Sequence, residues 1–150
     1  MPILARNKKA FYDYEILEKY EAGLVLTGSE VKAVRLGNIN LKGAYVVLQH
    51  ESAHPTAQLI NCHIGQYPYA TSMHVPDRSR TLLLNKREFI SLSGKTSQKG
   101  LTLIPLSVYT RGSLLKLEFA VAKGKKNYEK RESIKKRDTE RDMRKIMRRK

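Results

Sequence analysis

The sequence predicts a mainly β chain, a small closed antiparallel barrel carrying two or three helices and a basic C-terminal tail. Three observations carry that expectation. Apolar residues recur at period two in several short segments between residues 12 and 121, with Gly and Pro between them. Two places carry helix-start chemistry, one before Val31 and one before Phe89. The last segment, 123–150, holds 14 Lys or Arg against 5 Asp or Glu, with almost no apolar residues to bury.

In chain order, Phe11 to Tyr20 reads as a strand with Tyr12, Tyr14, Ile16 and Tyr20 on one face. An apolar run, 22–28, ends in Gly28. Ser29 then caps a short helix whose stripe is Val31, Ala33 and Val34, stopped by Gly37. Residues 44–49 read as a strand buried on both faces, and Gln58 to Ile64 as its hairpin partner across a loop at Pro55. Residues 65–80, with Gly65, two prolines and Arg78-Ser79-Arg80, read as a long mobile loop. Asn85-Lys86-Arg87-Glu88 has capping-box spacing and starts a helix to about Ser93, with Leu84, Phe89 and Leu92 inward. Leu101 to Tyr109 alternates, and Pro105 marks an edge or bulge. Leu115, Leu117, Phe119 and Val121 share one strand face opposite Lys116 and Glu118, after a turn at Arg111-Gly112. So many short strands favour closure over a sandwich, and an oligonucleotide-binding-like barrel is the expected architecture.

Two regions follow: a barrel domain over 1–122 and a tail over 123–150. Net charge is +15, of which +9 lies in the tail. Such a tail cannot offset its own ordering entropy, so it is expected to be disordered when free and helical on a polyanion. Glu132–Lys136 and Glu140–Arg144 at four-residue spacing support that helix. The basic body and the more basic tail point to nucleic acid. A membrane role is not expected, because the tail has no Trp, Phe or Leu for an apolar face. One cysteine, Cys62, and no apolar stretch at the N-terminus long enough for a secretory signal fit a cytoplasmic protein.

Catalytic and cofactor motifs are not found. No Gly-rich phosphate loop, Gly-x-Ser-x-Gly or His-Glu-x-x-His occurs, so neither an enzyme nor a cofactor is expected. His50, His54, His63 and His74 with Cys62 match no metal-ligand spacing, and no metal is expected. Tyr12, Tyr14 and Tyr45 offer stacking surfaces, and Asn7-Lys8-Lys9 a basic cluster. Composition alone leaves a ribosomal protein with a basic extension open beside an RNA-binding adaptor.

Five strings favour the adaptor. Ala5-Arg6-Asn7-Lys8-Lys9-Ala10, Tyr20-Glu21-Ala22-Gly23-Leu24, Gly28-Ser29-Glu30-Val31-Lys32, Leu82-Leu83-Leu84-Asn85-Lys86-Arg87-Glu88 and Ala122-Lys123-Gly124-Lys125-Lys126 stand in order along the chain. Together they resemble the small protein B family, the SsrA-binding proteins of bacterial trans-translation. The resemblance implies a non-enzymatic adaptor that binds the tRNA-like domain of transfer-messenger RNA (tmRNA, SsrA RNA). It implies delivery to stalled ribosomes, where the tail probes the small-subunit decoding site and the empty mRNA channel so that tagging can begin. Alanyl-tRNA synthetase and elongation factor Tu are implied as indirect partners through tmRNA.

The resemblance places RNA contacts at Asn7, Tyr14, Glu21, Tyr45, Leu83, Asn85 and Lys116, and the basic cluster adds Lys8 and Lys9. Its ribosome-binding tail residues are Tyr128, Glu129, Lys130, Arg131, Lys135, Arg137, Lys145, Ile146 and Met147. Glu129 stands where the family has Asp, Tyr128 where some members have His, and Thr139 where some have Trp. Thr139 cannot stack.

Overall fold

The computed structural model describes residues 2–49, 56–69, 73–98 and 100–125. The tail residues 126–150, and with them the expected passage from disorder to helix, lie outside the described residues.

Nine strands and three helices are present among the described residues: β1 (Ile3–Arg6), α1 (Lys8–Asp13), β2 (Tyr14–Leu24), α2 (Gly28–Arg35), β3 (Ile39–Asn40), β4 (Tyr45–Gln49), β5 (Thr56–Ile60), β6 (His63–Ile64), β7 (Arg80–Leu83), α3 (Lys86–Thr96), β8 (Leu101–Arg111) and β9 (Leu114–Gly124). The strand order β8-β4-β5-β7-β2-β9 closes through a β8–β9 pairing, so six strands form a ring, with β1 added at the edge of β8. Every pairing in it is antiparallel. The mainly β, closed antiparallel character expected from the sequence is present; the six ring strands are one more than an oligonucleotide-binding barrel has.

Alternation explains the inside of the ring. Leu115, Leu117, Phe119 and Val121 of β9 point inward as expected and pack with Leu103, Val108, Val46, Leu59 and Leu82. Val34 and Ala33 of α2 and Leu92 of α3 contribute to the same core. A second, smaller cluster lies on the outer face: Ala10 of α1 covers Ile104, Leu106, Ala120 and Ala122.

Bulges set which residues face which way. The β2–β9 register shifts between Ile16 and Glu18. Tyr14 and Ile16 therefore pack in the outer cluster, whereas Tyr20 packs in the core. The expected common face of Tyr12, Tyr14, Ile16 and Tyr20 is corrected on two counts, since Tyr12 belongs to α1 and the bulge inverts the pleat. Pro105 does mark a bulge, with a shift between Pro105 and Ser107.

Other expectations are refined by capping and pairing. Thr27, not Ser29, is the N-cap of α2: its hydroxyl accepts from the Glu30 N–H, and Glu30 accepts from the Thr27 N–H, a complete capping box. Asn85 caps α3, accepting from the Glu88 N–H at 2.8 Å, and α3 runs three residues past Ser93. Residues 44–49 are buried on one face only, with Tyr45 exposed and Val46 buried. The β4 partner stops at Ile60, because Asn61 adopts φ 62° and breaks the strand. The β8–β9 turn is Gly112-Ser113, closed by the Arg111–Leu114 pair, with φ 64° at Gly112.

The largest correction concerns residues 65–80, expected to be a mobile loop. Residues 70–72 lie outside the description, but the flanks are tied down. Arg80 opens β7 and is fully buried beside the fully buried Glu30. Its Nε donates to Glu30 Oε2 at 2.8 Å and its other nitrogens to the Cys62 and Val75 carbonyls. Arg78 adds a second guanidinium to the same carboxylate, with Nε 3.0 Å from Oε2. Burial alone raises the Glu30 pKa, but the bonds from Arg78, Thr27 N–H and Arg80 outweigh it and hold the carboxyl at about 2. Charge patterns in sequence read as solvated; here one buried carboxylate is held by two guanidinium groups, Arg80 fully buried and Arg78 partly exposed.

Candidate nucleic-acid interface

Helix α1 divides the outer face of the ring. It forms because Asn7 caps it, accepting from the Ala10 N–H at 3.3 Å. The Asn7 amide also donates to the Pro105 carbonyl at 2.9 Å and the Leu41 carbonyl at 3.4 Å. Asn7 is thus a buried bolt between α1, the chain at Leu41 and β8. At the far end, the Lys125 N–H donates to the Asp13 carbonyl and its Nζ to the Phe11 carbonyl. A short helix is held at both ends by long-range contacts, which is why local periodicity did not reveal it.

On one flank of α1 lies a cleft of about 540 Å3. Its walls include Lys9 from α1, Tyr14 from β2, Lys42 from the turn before β4 and Tyr45 at the start of β4, with Asn7 in its floor. Tyr45 is 42% exposed. Four of the residues predicted from the sequence, Asn7, Lys9, Tyr14 and Tyr45, are brought together here. Lys8 is exposed on the same helix. Lys42 was missed, since a single lysine between Leu41 and Gly43 has no sequence signal of its own.

The other flank holds a second cleft, about 580 Å3, between Arg6 and Phe11 on one side and Lys19, Glu21 and Tyr109 on the other. The Tyr109 hydroxyl donates to Glu21 Oε2, and Arg111 donates to Oε1 at 3.1 Å. The Tyr109 bond, then Arg111 and Lys116 nearby, lower the Glu21 pKa against its partial burial. Burial and the Glu21 carboxylate push the Tyr109 phenol well above its ordinary range. At neutral pH this is a fixed carboxylate with a neutral phenol, an acceptor for base or sugar donors and not an acid–base pair.

The remaining predicted residues stand beyond that cleft on the same outer face. Leu83, Gly23 and Lys116 lie in one register row across β7, β2 and β9, and Tyr109 of β8 continues it. Leu83 is 62% exposed. A Cβ at Gly23 would stand 3.3 Å from the Leu83 Cβ, so glycine leaves a notch between Leu83 and Lys116. Asn85 sits two residues past Leu83, its Oδ1 engaged in the α3 cap. The tail candidates Tyr128, Glu129, Lys130, Arg131, Lys135, Arg137, Lys145, Ile146 and Met147 lie outside the described residues.

The outer face therefore sets Tyr14 and Tyr45 beside Lys9 and Lys42, with Asp13, in one cleft, and Arg6 and Lys19 beside Glu21 and Glu118, with Glu21 preorganised, in the other. Such a surface stacks exposed bases and holds phosphates without chemistry. Cys62 is buried, and burial raises its thiol pKa to about 11, so it is no nucleophile at neutral pH. His63 pairs with Asp77, and His74 lies between Ser29 and the Ile64 carbonyl.

Comparison with known proteins gives this surface a setting. The family model for SmpB protein matches residues 4–149. An SsrA-binding protein of Sulfurihydrogenibium sp. strain YO3AOP1 is 51% identical over 95% of this chain and 92% of that one. Another, from Carboxydothermus hydrogenoformans, is 47% identical over 97% of this chain and 96% of its own. Among solved structures, a chain described under "tmRNA-SmpB: a journey to the center of the bacterial ribosome" matches with TM-score 0.67 and 40% identity. That match covers 85% of this chain and 87% of the other. With a family model spanning nearly every residue and relatives near half identity over the same span, the chain belongs to the SmpB family.

Proposed function

We propose that this protein is an RNA-binding adaptor of trans-translation: it binds the tRNA-like domain of SsrA RNA and accompanies it to stalled ribosomes in the cytoplasm. The observation that carries this reading is the end-to-end kinship with SsrA-binding proteins, joined to an outer-face cleft that sets Tyr14 and Tyr45 beside Lys9 and Lys42. The α1 clefts take the RNA. Tyr14 and Tyr45 stack bases, Lys8, Lys9, Lys42 and Lys116 meet phosphates, and Glu21 accepts from base or sugar donors. Leu83 and Gly23 shape the surface. Asn7 and Asn85 act through the helices they cap, since their side-chain oxygens already accept backbone N–H groups.

The tail has a separate job. A vacant mRNA channel is a groove lined by phosphates, and an occupying message excludes a competitor by sterics and like charge. A cationic tail enters only when the channel is empty, so vacancy is read as available binding energy without sequence readout. The expected division at 122/123 moves to 125/126, because β9 runs to Gly124 and Lys125 bonds to α1, and the two parts then divide RNA binding from channel sensing. No catalytic step is needed. Alanyl-tRNA synthetase and elongation factor Tu meet the assembly through the RNA.

Truncation tests the division. Because β9 pairs with β2 as far as Gly124 and Lys125 bonds to α1, the cut belongs after Lys125. The shortened chain is expected to bind the tRNA-like RNA within about threefold of the full chain and to fail in tagging on stalled ribosomes. Joint loss of both activities would contradict the division. In the full chain, Tyr45→Ala should weaken RNA binding about tenfold, the scale of one lost stacking contact.

A further inference from the structure

We propose that Tyr69, braced by Tyr67 and Lys32, is a third contact site that stacks an unpaired RNA base. The inference rests on the reading of this chain as an RNA binder and adds a surface that shares no residue with either α1 cleft.

Tyr69 is 83% exposed, an aromatic ring offered almost whole to solvent. Its ring meets Tyr67 edge to face, with centroids 5.7 Å apart and planes at 71°. Tyr67 is partly buried against the core, so the pair has a fixed root. On α2, Lys32 places its ammonium 5.4 Å from the Tyr67 ring centroid. Arg35, in the last turn of the same helix, is turned to the β8–β9 hairpin, where its Nη2 donates to the Ser113 carbonyl at 3.2 Å, so Lys32 is the cation of the pair. Nearby acids are spent: Glu30 is buried under two guanidinium groups, and Asp77 is paired with His63. Exposed aromatic area beside the Lys32 ammonium fits a base with its phosphate.

The platform is preorganised. The Gln66 side-chain amide pairs with both backbone groups of His74, accepting its N–H at 3.2 Å and donating to its carbonyl. The His74 ring is fixed in turn. Its Nε2–H donates to the Ile64 carbonyl at 3.0 Å, which leaves Nδ1 to accept from the Ser29 hydroxyl at 2.9 Å. The Ile64 N–H donates to the Pro76 carbonyl, and Arg78 closes onto Glu30. A base arriving at Tyr69 thus finds a ring whose anchorage is already ordered, which lowers the cost of binding.

The base can come from SsrA RNA or from ribosomal RNA, and two arms separate them. Full-length protein and its Tyr69→Ala, Tyr69→Phe and Tyr45→Ala variants are measured against the isolated tRNA-like domain, then for recruitment with that RNA to stalled ribosomes. Photo-crosslinks are mapped by mass spectrometry in both arms. Tyr69→Ala is expected to lose about tenfold in one arm and Tyr69→Phe to lose little. A loss with the isolated RNA assigns the base to SsrA RNA; a loss only on the ribosome assigns it to ribosomal RNA. Wild-type affinity of Tyr69→Ala in both arms, with no adduct at Tyr67 or Tyr69, overturns the platform. If Tyr45→Ala still weakens binding in that case, the RNA-binding reading stands alone. If the wild-type chain binds in neither arm, that reading falls as well.

Discussion

Glu30 shows how much a single side chain can organise. It accepts from the Thr27 N–H and hydroxyl and from both Arg78 and Arg80, so α2, β7 and the segment before it converge on one carboxylate. Its folded pKa, about 2, lies below the ordinary 4.5. Between those values the unfolded chain binds the extra proton, so the contribution to stability is complete above pH 4.5. It is lost as pH falls towards 2. The whole window corresponds to roughly 3 kcal/mol. Urea midpoints measured from pH 5 to pH 2.5 should fall more steeply for the wild type than for Glu30→Gln. Parallel curves would show that Glu30 is not the group titrating. Removing the charge also leaves two guanidinium groups facing a neutral amide. Glu30→Gln is therefore expected to be less stable at pH 7 by about 3 kcal/mol. None of this was visible in the sequence. Arg78 and Arg80 sit among Pro, Ser and Asp, a composition that reads as solvated, and their partner lies 48 and 50 residues away.

Among the elements, the strands whose neighbours are close in sequence were the most legible. β8 and β9 are a hairpin with clean alternation, and both the inward set Leu115, Leu117, Phe119, Val121 and the Pro105 bulge follow from local pattern. α3 was legible because Asn85 is followed three residues later by Glu88. β2 was only half legible, since its bulge at Leu17 has no Gly or Pro to mark it and reverses the face of everything before it. α1 was not legible, because six residues are too few for a periodic signal and tertiary bonds hold both ends. This gives Asn7 a testable role. Asn7→Ala removes the cap and strands the buried Pro105 carbonyl, a change expected to cost about 2 kcal/mol or more. Hydrogen exchange at the Ala10 and Phe11 amides should rise well beyond the change elsewhere in the ring. Lost RNA affinity with unchanged exchange and stability would instead make Asn7 a direct contact.

For the molecule as a whole, charge and form divide the work. The folded body carries its candidate site on the outside of the ring, where α1 gathers Lys9, Tyr14, Lys42 and Tyr45, residues far apart in sequence. Periodicity identifies the ring but cannot say which outward residues become neighbours; resemblance supplied the names, and the strand register supplied their arrangement. The tail is legible only as charge. Of the +15 total, residues 1–125 hold +8 and the last 25 residues hold +7, so nearly half of the charge is packed into one sixth of the chain. Salt dependence should therefore separate the two parts. The chain ending at Lys125, titrated with the tRNA-like RNA from 50 to 300 mM salt, should give a log–log slope of about −2 to −4, a few phosphates neutralised by the outer face. On stalled ribosomes the full chain should show a slope steeper by several units, since the cationic tail releases its own counterions in the channel. Equal slopes in the two settings would mean that the tail makes no phosphate contacts there, and the vacancy-reading mechanism would have no electrostatic basis.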